Sequence, residues 1–62
     1  MTFKKGDIIK YCNDLFEVDE NYGNGGVVWE VNDNYERTGV KDTNFYWSAY
    51  GSDCELVISK VK

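Results

Sequence analysis

The residues able to carry chemistry are few. The chain holds two cysteines, Cys12 and Cys54, eleven carboxylate side chains and no histidine. Without histidine there is no Ser-His or Cys-His pair, and two thiols alone are too few for a zinc site. From Asn32 to Glu36 oxygen-bearing side chains recur as in a calcium loop. Yet Arg37 stands where that loop needs glycine, and Thr43 where it needs an acid. Gly23-Asn24-Gly25-Gly26 lacks the Lys-Ser/Thr and the following helix of a phosphate-binding loop. Both stretches read as turns. A general acid–base pair would need two carboxylates in a cleft with displaced pKa values, and so many acids offer such pairs by chance. A chain of 62 residues seldom encloses the ~300 Å³ that a substrate site wants. The expectation is no enzyme activity, no metal and no cofactor.

The elements that must position these side chains have to come from one small domain spanning residues 1–62. A chain this short removes only ~60% of its unfolded surface from water, so its core must be efficient. Ten of its 62 residues are Phe, Trp or Tyr, a density that favours a folded domain over a disordered tail. Seven basic against eleven acidic residues give a net charge of −4. Nucleic-acid binders carry the opposite excess, and an anionic membrane would repel this chain. No apolar run approaches the ~20 residues of a membrane span, and the first residues lack a signal peptide's apolar stretch. Two cysteines make a thin framework for a secreted mini-protein. These features place the protein in the cytoplasm.

Short β-favouring runs separated by Gly, Asn and Asp predict an all-β meander without proline. The expected strands are 7–12, 15–19 after a turn at Asn13-Asp14, 27–31, 43–50 and 54–58. Gly51-Ser52-Asp53 reads as a single turn for which a 3-10 form is open, and no helix exceeds one turn. The stretch from Asn32 to Asp42 begins in a turn and is otherwise illegible. Alternation with Lys10, Glu17, Glu30 and Glu55 outward puts Ile9, Tyr11, Phe16, Val18, Val27, Trp29, Val31, Cys54, Leu56 and Ile58 inward. By the same parity Cys12 faces away from the core and Cys54 into it, so the thiols are expected to be free. Five strands with one apolar face each should curl into a small barrel.

The ends of the chain carry a resemblance. Lys5-Gly6-Asp7-Ile8-Ile9-Lys10-Tyr11, a tight turn and Leu15-Phe16-Glu17-Val18 resemble the opening hairpin of small SH3-like barrels. Ser52-Asp53-Cys54-Glu55-Leu56-Val57 is similar to the single turn and final strand that close them. The resemblance implies a small five-stranded antiparallel SH3-like barrel. The Ala-Leu-Tyr-Asp-Tyr motif of the peptide-binding subclass is absent, which argues against recognition of proline-rich peptides. Size, asparagine content and missing proline also resemble the small accessory proteins of bacteriophages.

Two features stand above the background. From Tyr11 to Glu36 there are seven acids (Asp14, Glu17, Asp19, Glu20, Glu30, Asp33 and Glu36) and no base, while Lys4, Lys5, Lys10, Lys60 and Lys62 gather near the ends. A surplus of rings also leaves Tyr22, Tyr35, Tyr46 and Tyr50 on loops or outward positions, and tyrosine suits interface anchors. The partner-binding set expected from this is Asp19, Glu20, Tyr22, Asp33, Tyr35, Glu36, Tyr46 and Tyr50. The function expected is a non-catalytic module binding a protein with a basic surface, such as a host protein of a phage. The alternatives are a single-stranded nucleic-acid binder, which needs Lys4, Lys5, Lys10, Lys41, Lys60 and Lys62 in one groove, and a structural part of a larger assembly.

Overall fold

A turn at Lys4–Asp7 starts the fold: the Asp7 N–H donates to the Lys4 carbonyl, and the Asp7 carboxylate accepts from the Lys4 N–H at 3.0 Å. This computed structural model describes residues 3–59. Lys60 and Lys62 lie outside the described residues. Strand β1 (Ile8–Tyr11) and strand β2 (Asp14–Asn21) form an antiparallel hairpin closed by the pair Tyr11–Asp14. Cys12 and Asn13 both have positive φ, 52° and 67°, so they are the two loop residues. The expected turn at Asn13-Asp14 is corrected by one position.

Strand β3 (Gly26–Val31) pairs with β2, and strand β4 (Arg37–Phe45) pairs with β3. The expected strand 43–50 is corrected: after Phe45 the chain turns into a single helical turn, α1 (Trp47–Tyr50), and a 3-10 turn over Gly51–Asp53. The 3-10 turn and β5 (Cys54–Ile58), paired to β1, lie where the sequence placed them. The protein is all-β: five antiparallel strands in one sheet, in the order β4-β3-β2-β1-β5. That order leaves β4 and β5 as free edges, so the sheet is not the closed barrel that was expected. Closure fails because residues 46–53 leave the extended conformation and pack over one face instead of prolonging an edge strand.

That face carries the core of Phe3, Ile9, Val18, Val28, Phe45, Trp47 and Cys54. Trp47 is fully buried, meets Phe3 edge-on at 5.4 Å and donates its indole N–H to the Gly23 carbonyl at 3.2 Å. Tyr11, Phe16 and Tyr50 flank the cluster, with Tyr11 and Tyr50 stacked at 4.2 Å. Part of the expected core is corrected. In β3 it is Val28 that joins the cluster, and Glu30 lies opposite Phe16, half-buried. Val27, Trp29 and Val31 therefore take the other face, where directly opposed residues share a side. Val27 and Val31 are still buried there, whereas Trp29 is only partly so. Leu56 is 50% exposed because its strand is an edge. Cys12 is exposed and Cys54 buried, both as free thiols.

Candidate protein-interaction end

The sheet has two ends with different chemistry. At one, called here the hairpin end, lie the Cys12-Asn13 turn, the turn from Asn32 to Glu36 and the 3-10 turn leading into β5. At the other, the loop end, lies the connection from Tyr22 to Gly25.

Asn32 builds the hairpin end. Its side-chain carbonyl accepts the Asn34 N–H at 2.8 Å and the Glu36 N–H at 3.0 Å, and its amide donates to the Glu36 carboxylate at 3.3 Å. The Asn32 N–H donates to the Glu36 carbonyl, and the Tyr35 N–H to the Asn32 carbonyl. An asparagine side chain that mimics a backbone turn in this way tolerates few alternatives. The turn fixes Tyr35 at φ 65°, a left-handed conformation costly for a bulky side chain, and the residue is 41% exposed. Asp33 and Glu36 flank it on exposed positions. Asp14, which closes the β1–β2 hairpin, and Asp53, which precedes β5, add two exposed carboxylates at this end. An open concavity of about 310 Å³ lies beside them, lined by Lys10, Cys12, Asn13, Ser52, Asp53 and Glu55.

The loop end is also locked. Ser48 donates to the Asn24 carbonyl through its N–H at 3.1 Å and its hydroxyl at 2.8 Å, and the Gly23 N–H donates to the Asn21 side chain. Gly26 has no room for a side chain, since a Cβ there would stand 1.9 Å from the Glu20 carbonyl oxygen. This loop presents Tyr22, 62% exposed, with its hydroxyl donating to the Glu20 carboxylate at 3.4 Å. Partial desolvation of the phenol, followed by the neighbouring Glu20 charge, raises the Tyr22 pKa. Tyr46, 49% exposed, lies against the same loop beside Gly25.

The eight residues expected to form one surface are thus divided. Asp33, Tyr35 and Glu36 stand together at the hairpin end, and Glu20, Tyr22 and Tyr46 at the loop end. Asp19 lies half-buried on the sheet, 3.8 Å from Arg37. Tyr50 packs against the core, stacked on Tyr11. Nor does the base-free stretch of sequence stay base-free in space. Arg37 reaches back from β4 to Glu17 at 2.8 Å, and Arg37 and Lys41 lie 4.6 and 5.2 Å from the centre of the Trp29 ring. The lysines required for a single basic groove are separated as well, since two strands lie between Lys10 on β1 and Lys41 on β4. Sequence reasoning missed Asn32 as the organiser of its turn, left Asp14 of the acidic stretch out of the partner-binding set, and missed Asp53 as a member of the acidic end. The run Asn32-Asp33-Asn34 was the available signal for the first. The other two needed the strand order.

The remaining titrations are local. A hydrogen bond with Cys12 and then burial raise the Tyr11 pKa, and burial pushes the Cys54 thiol up to about 11. Among the described residues no group of three or more acids or cysteines is placed to hold a metal ion, and no helix is long and apolar enough to cross a membrane. No protein-family model matches the chain, and no curated protein or solved structure matches it.

Proposed function

We propose that this chain is a non-catalytic protein-interaction module, an SH3-like domain with an open sheet, whose hairpin end docks on a basic surface of another protein. The observation that carries the reading is Tyr35. A tyrosine held in a left-handed conformation by five hydrogen bonds around Asn32, and left partly exposed, is strain that packing does not use. Loops fixed on a rigid sheet are the usual carriers of binding residues. Asp33, Glu36, Asp14 and Asp53 spread negative charge across the sheet end, a width of roughly 20 Å for five strands. Such an end would be steered onto a basic surface and anchored by the phenol. We read the protein as cytoplasmic. Its size, asparagine content and lack of proline fit a bacteriophage accessory protein, whose partner would be a host protein with a basic site made for nucleic acid.

Association with such a partner should slow and weaken as salt rises from ~0.05 to ~0.5 M, where the Debye length falls to a few ångströms. Direct binding to single-stranded DNA or RNA should be no tighter than ~10⁻⁴ M at physiological salt. An anisotropy titration that finds micromolar affinity for an oligonucleotide overturns the reading in favour of a nucleic-acid binder.

A further inference from the structure

On the face opposite the core, Trp29 sits between Glu17 of β2 and Lys41 of β4, its directly opposed partners. The Arg37 guanidinium lies 4.6 Å from the centre of the indole. Its Nε donates to the Glu17 carboxylate at 2.8 Å, and Asp19 stands 3.8 Å from its terminal nitrogen. The guanidinium is therefore fixed on three sides, yet the Arg37 side chain stays 46% exposed. The Lys41 ammonium, 5.2 Å from the same ring, has no carboxylate within ion-pair distance among the described residues. The Trp29 N–H is buried with no acceptor among the described residues, so face contacts and not an edge hydrogen bond hold the ring. A planar cation backed by an aromatic ring is a shelf on which a nucleobase can stack. An ammonium with no carboxylate partner at its side suits a phosphate.

We propose that this face binds a nucleoside monophosphate, its base stacked on the Arg37 guanidinium and its phosphate beside Lys41. The carboxylates of Glu17 and Asp19 orient Arg37 and keep the phosphate on the Lys41 side. A long strand would meet the repulsion of a chain with net charge −4, so the ligand is a single nucleotide and not a polymer. The site lies on the sheet face and not on the turn, although Arg37 is the residue that follows Glu36.

Nuclear magnetic resonance titration of the labelled protein with adenosine 5′-monophosphate tests it. The indole of Trp29 and the Nε of Arg37 should shift together, with a Kd of order 10⁻³ M. Arg37→Lys keeps the charge and removes the plane, and should weaken binding roughly five- to hundredfold, the range of one lost stacking contact. Lys41→Ala should weaken the nucleotide and leave adenosine, which has no phosphate, unaffected. Tyr22→Ala, at the loop end and without change of charge, should change neither. Because Arg37 and Lys41 are exposed, these variants should melt cooperatively like the parent. Three results each overturn the site: no shift at Trp29 and Arg37, unchanged affinity in Arg37→Lys, or inorganic phosphate reproducing the whole response.

Discussion

The two tryptophans should answer to truncation in opposite ways. Trp47 is fully buried, packs α1 into the core cluster edge-on to Phe3, and holds the loop end through its N–H to Gly23. Truncating a buried tryptophan to alanine costs ~3–5 kcal/mol, and the Gly23 carbonyl loses its indole donor for ~1 kcal/mol more. A single core in a chain below ~70 residues rarely supplies more than ~3–5 kcal/mol in total. Trp47→Ala should therefore be largely unfolded at room temperature. Trp47→Phe keeps most of the ring contact and drops the hydrogen bond. Its melting temperature should fall by ~5–15 °C, since ~1 kcal/mol moves a domain of this size by ~4–8 °C. Trp29 is only partly buried, under the stems of Arg37 and Lys41, and Trp29→Ala should cost ~1–2 kcal/mol. Urea melts followed by far-ultraviolet circular dichroism would rank the three. A Trp29→Ala protein less stable than Trp47→Ala would refute the assignment of the core to the face that α1 covers.

Other perturbations probe separate parts of the fold. Tyr35→Gly relieves a left-handed tyrosine and should leave stability unchanged or raise it by up to ~1 kcal/mol in a chemical melt, while partner binding is lost. Gly26→Ala forces a methyl group into the Glu20 carbonyl and should destabilise by at least ~1–3 kcal/mol, whereas Gly23→Ala meets open space and pays only for its positive φ. Under native conditions an alkylating reagent should modify Cys12 and spare Cys54, as mass spectrometry would show. The Cys54 thiol has a raised pKa of about 11 in the fold against 9.0 for the unperturbed group. Its stabilisation is therefore complete below pH ~9 and lost as pH climbs towards ~11. A Cys54→Ala protein should lack that part of the alkaline decline.

The elements legible in the sequence were those bounded by explicit turn chemistry. β1, β2 and β5 were found from the turn residues that bound them, although β1 buries both Ile8 and Ile9, and the glycine- and asparagine-rich segments between strands are turns within one residue of where they were expected. β4 could not be read, because Arg37–Asn44 is exposed along its whole length and so has no apolar period. Phe45, Trp47 and Ala49 mimic a strand's alternation, yet the chain turns helical after Phe45 and still buries Phe45 and Trp47. The parity of β3 was set by sending Glu30 outward. With four apolar residues around it, that strand buries side chains on both faces, and the long Glu30 side chain can reach solvent from a half-buried position. The candidate site was legible only in part. Its tyrosines and acids could be named, but which of them share an end depends on strand order and on turns that alternation does not encode. The pairing of Arg37 with Glu17 spans twenty residues and was equally out of reach.

The most direct test of the docking claim is comparative capture from the native host's extract, with bound proteins quantified by mass spectrometry for four immobilised baits. These are the parent, Asp33→Lys with Glu36→Lys, Tyr35→Ala, and the loop-end control Glu20→Lys with Tyr22→Ala. The account predicts one basic protein retained at low salt by the parent and by the loop-end control, and lost from both hairpin-end variants. Equal recovery of that protein on all four baits, or loss from the loop-end control alone, would contradict it.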